Sequence, residues 1–368
     1  MQNRIAVLIA AVIFLSLTAG RVLADWKSEW DRVVEAAKRE GRLNLYVNRY
    51  GQAPLLEEFR KDHPKIRVVT VTGGGSQLVS RVMAEARAGN VVADLFSGGS
   101  GTALTLHRGK VLEPLKPALI LPEVLDESKW YGGRHAFTDP ERQFVFVYIV
   151  LPELRGLGYN RNLVDPEEFR SYRDLLNPKW KGRIVSQRPA LGGGITVHLQ
   201  FYYHHPELGP DFMRRFFGAM DMTFAEQRTI DDWLAAGKFA ICLGCREIDK
   251  AKGQGLPVDH FEMGEWKEGE PLSTGGGSLG LMRGAPHPNA SRVFINWFLS
   301  RRGQTVLQMS NDLLGAQPPY SRRIDIPKEM LPPETRLVPG RRYLDLTLSE
   351  FTDLAPIDRL LKEIFGTR

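Results

Sequence analysis

The chain has 368 residues, of which 43% are apolar and 25% charged, and its formal net charge is +6. This composition is ordinary for a globular protein and does not indicate a disordered chain. The basic residues are scattered, whereas nucleic-acid binding needs a clustered basic face, so nucleic acid is not an expected partner. The mild positive charge indicates only a slight preference for anionic partners.

The N-terminal segment has the three parts of a secretory signal peptide. Arg4 supplies the charged part, Ile5–Leu17 is a nearly unbroken apolar part, and Val22-Leu23-Ala24 offers the small residues that a signal peptidase requires. We therefore expect residues 1–24 to be removed and a soluble, exported chain to begin near Asp25. The alternative is an uncleaved anchor helix, although the apolar run is short for crossing a bilayer.

Roughly 344 residues then remain (368 minus 24), more than one hydrophobic core usually organises, so two lobes are expected. Helices and strands alternate in the first part: helix Trp26–Glu40, strand Leu43–Val47, helix Ala53–His63, strand Ile66–Val71, helix Gln77–Ala88 and strand Ala93–Phe96. Such alternation predicts parallel pairing in an α/β sheet.

A second α/β series follows an apolar, β-rich run at Phe144–Val150. Its predicted elements are strand Arg183–Ser186, helix Ile195–Tyr203, helix Asp211–Ala219, strand Met222–Ala225, helix Asp231–Ala236 and strand Phe239–Leu243. A further strand, Leu279–Met282, and an amphipathic helix, Asn289–Leu299, come after this series. The order predicts one lobe with a second lobe inserted into it. The predicted division is lobe 1 at 25–137, lobe 2 at 138–271, the return of lobe 1 at 272–330 and a C-terminal helical tail at 331–368.

Several runs of residues resemble one family of extracellular proteins. They are Tyr159-Asn160-Arg161-Asn162-Leu163-Val164, Tyr172–Ile184 with its core Pro178-Lys179-Trp180-Lys181-Gly182-Arg183, Gly237-Lys238-Phe239-Ala240, Gly255-Leu256-Pro257-Val258 and the helix Ser291–Leu299. The family is that of the solute-binding proteins of ABC importers, of the ferric-iron, thiamine and polyamine type. The resemblance covers nearly the whole mature chain.

The resemblance implies an α/β fold of the type II periplasmic binding protein class, with two lobes joined by two hinge-crossing strands. It also implies a periplasmic protein, without catalysis or a cofactor, that captures a small solute by lobe closure. An ABC permease with its ATPase is the implied partner, and a monomer is expected. The predicted crossings lie near Phe137–Val147 and Pro271–Gly280.

Three turns between a strand and a helix combine glycine with small hydroxyl residues. They span Gly73–Ser76, Ser97–Thr102 and Gly192–Thr196. Backbone N–H groups at such helix N-termini favour anions, and in an α/β sheet these turns open at the same edge. Structural turn and cap roles remain the alternative for each turn. The candidate ligand-binding residues of these turns are Ser76, Gln77, Ser97, Gly98, Ser100, Gly193, Gly194 and Thr196.

Four arginines follow predicted strands: Arg49 with its neighbour Tyr50, then Arg188, Arg228, and Arg246 with its neighbour Cys245. A guanidinium group suits carboxylate and phosphate oxygens, so we predict a small organic anion as the ligand. The alternative for each arginine is a structural salt bridge. A ferric ion or ferric complex is the alternative ligand. However, Cys245-Arg246 stands where the ferric-binding branch has its adjacent iron-binding tyrosines.

Cys242-Leu243-Gly244-Cys245 leaves three possibilities open: a local disulfide, two unpaired thiols, or a thiol-disulfide enzyme.

Gly276-Gly277-Ser278-Leu279-Gly280 matches a hydrolase nucleophile pattern. In a hydrolase the acid and then the histidine must follow the serine, but no acidic residue lies between Ser278 and His287, the last histidine, so we interpret this run as a crossing back into lobe 1. Tyr202-Tyr203-His204-His205 contains metal-binding residue types, but consecutive residues fan out around a helix, so no metal site is predicted.

Overall fold

A computed structural model describes residues 26–50, 53–152, 156–187, 189, 191, 195–223, 227–274, 276–310 and 319–366. The predicted signal peptide lies outside these residues. The chain forms two compact units. The first unit runs to Val150 and resumes over Thr274–Thr335, and the second comprises Leu151–Ser273 and the chain from Arg336 onward. Within the described ranges, no helix has both the length and the apolarity needed to cross a membrane.

Helices and strands alternate along much of the chain. The helices are α1 (26–40), α2 (Ala53–Asp62), α3 (Gly75–Arg87), α4 (Ser100–Arg108), α5 (Pro122–Leu125), α6 (Thr196–His204), α7 (Gly209–Ala219), α8 (Gln227–Ala235), α9 (Ile248–Gly253), α10 (Pro288–Leu299), α11 (Arg301–Met309) and α12 (Ala355–Phe365). The strands are β1 (Arg42–Val47), β2 (Arg67–Thr72), β3 (Leu95–Gly98), β4 (Leu112–Glu113), β5 (Val145–Val147), β6 (Leu151–Pro152), β7 (Leu157–Asn160), β8 (Ile184–Gln187), β9 (Asp221–Thr223), β10 (Ile241–Leu243), β11 (Val258–His260), β12 (Glu270–Ser273), β13 (Ser278–Met282) and β14 (Tyr343–Asp345).

The first unit is built on a sheet of strand order β2-β1-β3-β13-β4, in which β5 also pairs with β13. Strands β1, β2 and β3 are parallel, which confirms the predicted α/β arrangement. The run Leu43–Val47 is buried throughout and apolar except for Asn44, as expected for a strand covered on both faces. Strand β13 returns antiparallel to β3 and so completes the sheet from a distant part of the sequence.

Helices cover both faces of this sheet. On one face, Phe59 of α2 packs edge to face against Phe294 and Trp297 of α10. On the other face, Leu78 of α3 and Ala103 of α4 share a core. Because these apolar side chains recur at helical spacing, burying them fixes the order of the helices around the sheet.

The second unit has its own sheet, of strand order β11-β7-β10-β8-β9. Strand β8 is parallel to both β9 and β10, and β7 runs antiparallel to β10 and β11. The family-like run around Trp180 precedes β8. Trp180 is buried and stacks on Phe169 with 5.5 Å between ring centroids. This packing holds the run in place at the start of β8.

A third, small sheet of order β14-β12-β6 also belongs to the second unit. The tail predicted as helical therefore contains a strand as well as α12. Tyr343–Asp345 is extended because it pairs in parallel with Glu270–Leu272. Helix α12 packs its buried Leu360 and Leu361 into the core of the second unit.

The compact units and the predicted lobes divide the chain at different residues. The sequence predicted that lobe 1 ends at 137, whereas the first unit continues to Val150 because β5 pairs with β13. The chain passes between units after Val150, after Ser273 and after Thr335. As a division into functional lobes, the predicted boundaries stay a prediction.

Candidate ligand-binding edges

The parallel strands of the first unit end at one edge of their sheet. Val47, at the end of β1, is level with Thr72 of β2 and with Ser97 of β3. All the site residues predicted for this part of the chain lie at this edge: Ser97 and Gly98 end β3, Arg49 and Tyr50 follow β1, and Ser76, Gln77 and Ser100 are in the first turns of α3 and α4. Asn48 links the end of β3 to the turn after β2, because its Nδ2 donates to the Gly73 carbonyl at 2.9 Å and its N–H to the Ser97 carbonyl at 2.9 Å.

Two helices begin at this edge with uncapped N-termini. The N-cap residues of α3 and α4 are Gly74 and Gly99, both extended, and neither has a side chain to bond the first N–H groups. The two N-termini are adjacent, since a Cβ at Gly75 would lie 2.8 Å from Thr102 Oγ1. Two uncapped N-termini side by side concentrate positive electrostatic potential at this edge.

A buried hydroxyl pair lies beneath the edge. Ser97 Oγ and Tyr148 OH are 2.8 Å apart and both side chains are buried. Burial raises the pKa of Tyr148 above its ordinary value, so the phenol stays protonated. The Tyr148 ring packs edge to face against Tyr50, at 6.4 Å between centroids. Tyr148 was not predicted as a site residue, although a single tyrosine within the apolar run Phe144–Val150 is the signal that marks it.

Arg49 lies against the segment that returns to the first unit. Its guanidinium is 6.0 Å from the centre of the Tyr50 ring. A Cβ at Gly276 would lie only 2.4 Å from Arg49 Cδ, and Gly276 has a left-handed φ of +93°. Glycine at this position therefore makes room for the arginine side chain, a role that the sequence alone did not reveal.

Ser278, the serine of the hydrolase-like pattern, has a structural role. Its side chain is fully buried at the start of β13, and its Oγ donates to the Gly98 carbonyl at 2.7 Å. Gly277 leaves space for Ile149, since a Cβ there would lie 2.1 Å from Ile149 Cγ1. The geometry agrees with the interpretation of this run as a strand that returns to the first unit.

Two of the predicted site residues of the second unit, Arg228 and Arg246, lie next to Asp231. Asp231 lies in α8, its side chain is buried, and its Oδ1 accepts the Arg246 N–H at 3.1 Å. Arg228 precedes Asp231 by one helical turn and is exposed, as is Arg246. Helix α8 begins at Gln227, earlier than the predicted Asp231, so Arg228 belongs to its first turn. Arg188, Gly193 and Gly194 lie outside the described residues.

Cys242 and Cys245 form a disulfide, which rules out the alternative of two unpaired thiols. Both side chains are buried in a small core with Val185 and Ile248. Gly244, between them, has a left-handed φ of +78°, and a Cβ there would lie 2.4 Å from Ile195 Cγ2, next to Thr196 at the start of α6. The disulfide thus ties the end of β10 to the loop that presents Arg246.

Replacing both cysteines by serine is expected to lower the free energy of unfolding by about 2 kcal/mol, because the bond closes only a short loop. Urea unfolding of the variant and of the wild type measures the difference. A reducing agent should lower the stability of the wild type to that of the variant and leave the variant unchanged. Equal stability of the two oxidised proteins would contradict the expectation.

Tyr202 and His204 of the Tyr202–His205 run face different neighbours. The Tyr202 ring is buried among Tyr172, Phe212 and Phe216. His204 packs against Phe351 instead, and its partial burial lowers its pKa. The predicted fanning of these side chains around the helix end is confirmed.

One group of possible metal ligands occurs among the described residues. His107, Asp139 and Glu141 have ligand atoms within 4.8 Å of one another. Asp139, however, already accepts the backbone N–H groups of Gln143, Phe144 and Val145. His107 is in the last turn of α4, whereas the candidate edge is at the first turn of that helix. This group therefore belongs to the opposite end of α4.

Two units built on α/β sheets, each carrying polar turns at the ends of parallel strands, define the class of periplasmic binding proteins. The profile of the bacterial extracellular solute-binding protein family matches residues 55–313, and the chain belongs to this family. Members are the solute-binding components of ABC importers, and they bind their ligands without catalysis. The predicted family, two-lobe fold and non-enzymatic solute-binding role are confirmed.

Individual relatives are distant. The iron uptake protein A1 of Synechocystis is 24% identical over 161 residues, which cover 42% of this chain and only 39% of that protein. The structure of a Trichodesmium protein (IdiA, FutA) with iron and citrate is 18% identical, has a TM-score of 0.63 and covers 89% of this chain and 100% of that one. The AfuA protein of Actinobacillus pleuropneumoniae with fructose-6-phosphate is 17% identical, with a TM-score of 0.51 and coverage of 88% and 97%. At these identities the structures show a shared fold.

Proposed function

We propose that this chain is exported to the periplasm, captures a small organic anion that carries carboxylate, phosphonate or phosphate, and delivers it to an ABC permease. The observation that carries the proposal is the edge of the first unit, where Arg49 lies near the uncapped N-termini of α3 and α4. A guanidinium group and free backbone N–H groups both donate hydrogen bonds to the oxygens of such anions.

The polar groups at this edge support an oxyanion. Ser76 and Gln77 are exposed in the first turn of α3, and Ser100 Oγ lies 3.4 Å from Thr274 Oγ1. These side chains supply hydroxyl and amide donors beside the backbone N–H groups. Charge-assisted hydrogen bonds to such donors contribute about 1.5 to 3 kcal/mol each.

In the second unit we assign ligand contacts to Thr196, Arg228, Cys245 and Arg246. Arg188, Gly193 and Gly194 remain part of the proposal on sequence grounds alone. The buried Asp231 supports the assignment of the two arginines. Its carboxylate accepts the backbone N–H of Arg246, and Asp231 itself lies one helical turn after Arg228, so both arginines are held near the same residue. The proposed capture is by lobe closure, and small-angle scattering should then give a smaller radius of gyration with ligand than without it.

The relatives support two kinds of cargo. One fold relative was solved with fructose-6-phosphate, a phosphorylated organic anion, and another with iron and citrate. A ferric complex is therefore the second candidate. The residues Cys245-Arg246 favour the metal-free anion, because they stand where the ferric-binding branch has its adjacent tyrosines and because a guanidinium group repels ferric iron.

A thermal-shift screen tests the proposal, because a ligand at 100 times its dissociation constant adds about 2.7 kcal/mol of stability. The panel contains citrate, fructose-6-phosphate, a phosphonate, ferric citrate, thiamine and spermidine. We expect stabilisation by a metal-free anion. Stabilisation by ferric citrate but not by citrate would establish the ferric alternative, and stabilisation by spermidine alone would refute the anion.

Replacing Arg188 or Arg228 by alanine is expected to weaken binding of that anion about ten- to a hundredfold, since each removes a charge-assisted hydrogen bond. Isothermal titration calorimetry gives the affinities. Arg215→Ala, an exposed arginine of α7, is the matched control and should change affinity less than twofold. Wild-type affinity in both variants would remove Arg188 and Arg228 from the site and contradict the proposed anion.

We further propose cleavage near Ala24, a monomeric mature protein, and a permease with its ATPase in the inner membrane as partner. Mass spectrometry of the protein recovered from a periplasmic fraction tests the cleavage. A mass that still includes residues 1–24 would contradict it.

A further inference from the structure

A surface groove in the first unit lies at the end of the sheet opposite to the candidate edge. It has a volume of about 470 Å³. Val91 and Ala93 precede β3 and Met282 ends the antiparallel β13, so these residues mark the end of the sheet at which β3 begins. The groove is thus separate from Ser97 and Gly98, at the other end of β3.

The floor of the groove is apolar. Val82, Met83 and Ala86 of α3 line one side, and Val111 and Met282 line the other. Met83 packs closely over the chain, since a Cβ at Gly109 would lie 2.7 Å from Met83 Sδ. Methionine side chains are flexible and polarisable, and they adapt to apolar ligands of different shape.

The rim of the groove is basic. Arg87, Lys110 and Arg283 are exposed and line the groove, and none of them forms an ion pair within the part of the chain that the structure describes. The one acidic residue among the lining residues, Glu85, accepts hydrogen bonds from Tyr46 and Arg81. Three cations around an apolar floor are complementary to an anionic head group on an apolar body.

We propose that this groove binds the alkyl chain of a small anionic amphiphile of the fatty-acid type, with its carboxylate at Lys110 and Arg283. The size of the groove favours a small molecule, because ligand pockets span roughly 300 to 1,000 Å³ whereas a stable protein partner covers about 800 Å² on each side. Arg283 is held beside Val111, whose carbonyl accepts the Arg283 N–H at 2.9 Å, so the two cationic side chains are carried by adjoining backbone segments.

Calorimetric titration of the exported protein with dodecanoate, below its micellar concentration, tests the proposal. We expect Lys110→Glu with Arg283→Glu to weaken binding at least tenfold. The matched control, Arg60→Glu with Lys65→Glu, makes the same change of charge at exposed positions of the same unit and should alter affinity less than twofold. Ala86→Phe, which fills the groove without changing charge, should also weaken binding at least tenfold.

Dodecyltrimethylammonium has the same alkyl chain and the opposite charge, and it should bind the wild type at least tenfold more weakly than dodecanoate. Four results would overturn the proposal: no dodecanoate binding by the wild type, equal affinity in the groove variants, equal affinity for the cationic detergent, or a wild-type dimer that Ala86→Phe dissociates. In the last case a second copy of the chain occupies the groove.

Discussion

Replacement of Asn296 by alanine is expected to lower the free energy of unfolding by about 3 to 5 kcal/mol, a large effect for one side chain. Asn296 lies on α10 with its side chain fully buried. Its Oδ1 accepts the N–H groups of Ile120 at 2.7 Å and Leu121 at 3.0 Å, and its Nδ2 donates to the Ala118 carbonyl at 2.8 Å.

The loss is expected to be this large because three backbone groups lose their partners together. A buried N–H or carbonyl without a hydrogen bond costs about 1 to 3 kcal/mol. Urea unfolding, followed by tryptophan fluorescence, measures the change. Asn90→Ala, at an exposed turn, is the control and should change stability by no more than about 0.5 kcal/mol. A loss below about 1 kcal/mol for Asn296→Ala would show that the loop rearranges or admits water.

Local sequence patterns predicted most elements of the first unit well. The runs Leu43–Val47 and Trp26–Glu40 have strand and helix periodicity, and the structure places β1 and α1 there within one residue. The pairing of β13 with β3 was not predicted, because the partners are far apart in sequence and no local period encodes a long-range contact. The strand β14 was missed for the same reason, since it exists through its pairing with β12.

The residues of the candidate site could be predicted from the sequence where polar side chains lie at or just after the end of a predicted strand. Arg49, Ser76 and Ser97 meet at one edge because β1, β2 and β3 are parallel, which helix–strand alternation already indicates. Tyr148 and Gly276 reach the same edge on segments that return from elsewhere in the chain. That they reach this edge depends on tertiary packing. Tyr148 is marked in the sequence only as a single tyrosine within an apolar run, and no local pattern identifies Gly276.

Replacing Gly276 by alanine is expected to weaken binding of the anionic ligand about ten- to a hundredfold, as much as Arg49→Ala. A Cβ at residue 276 would lie 2.4 Å from Arg49 Cδ, so the arginine must leave its position. The prediction depends on the proposed role of Arg49 as a ligand contact. Calorimetry with the ligand found by the thermal-shift screen measures the effect.

A matched control separates this steric effect from backbone strain. Gly284 also has a left-handed φ, +70°, but a Cβ there would have no atom within 4 Å. Gly284→Ala should therefore lose a similar amount of stability, about 1 to 2 kcal/mol, while ligand affinity stays within twofold of wild type. In the Arg49→Ala background, Gly276→Ala should cause no further loss of affinity, because both substitutions remove the same contact. Additive losses in the double variant would mean that Gly276 acts on the ligand independently of Arg49, and unchanged affinity in Gly276→Ala alone would mean that Arg49 does not hold the ligand from this position.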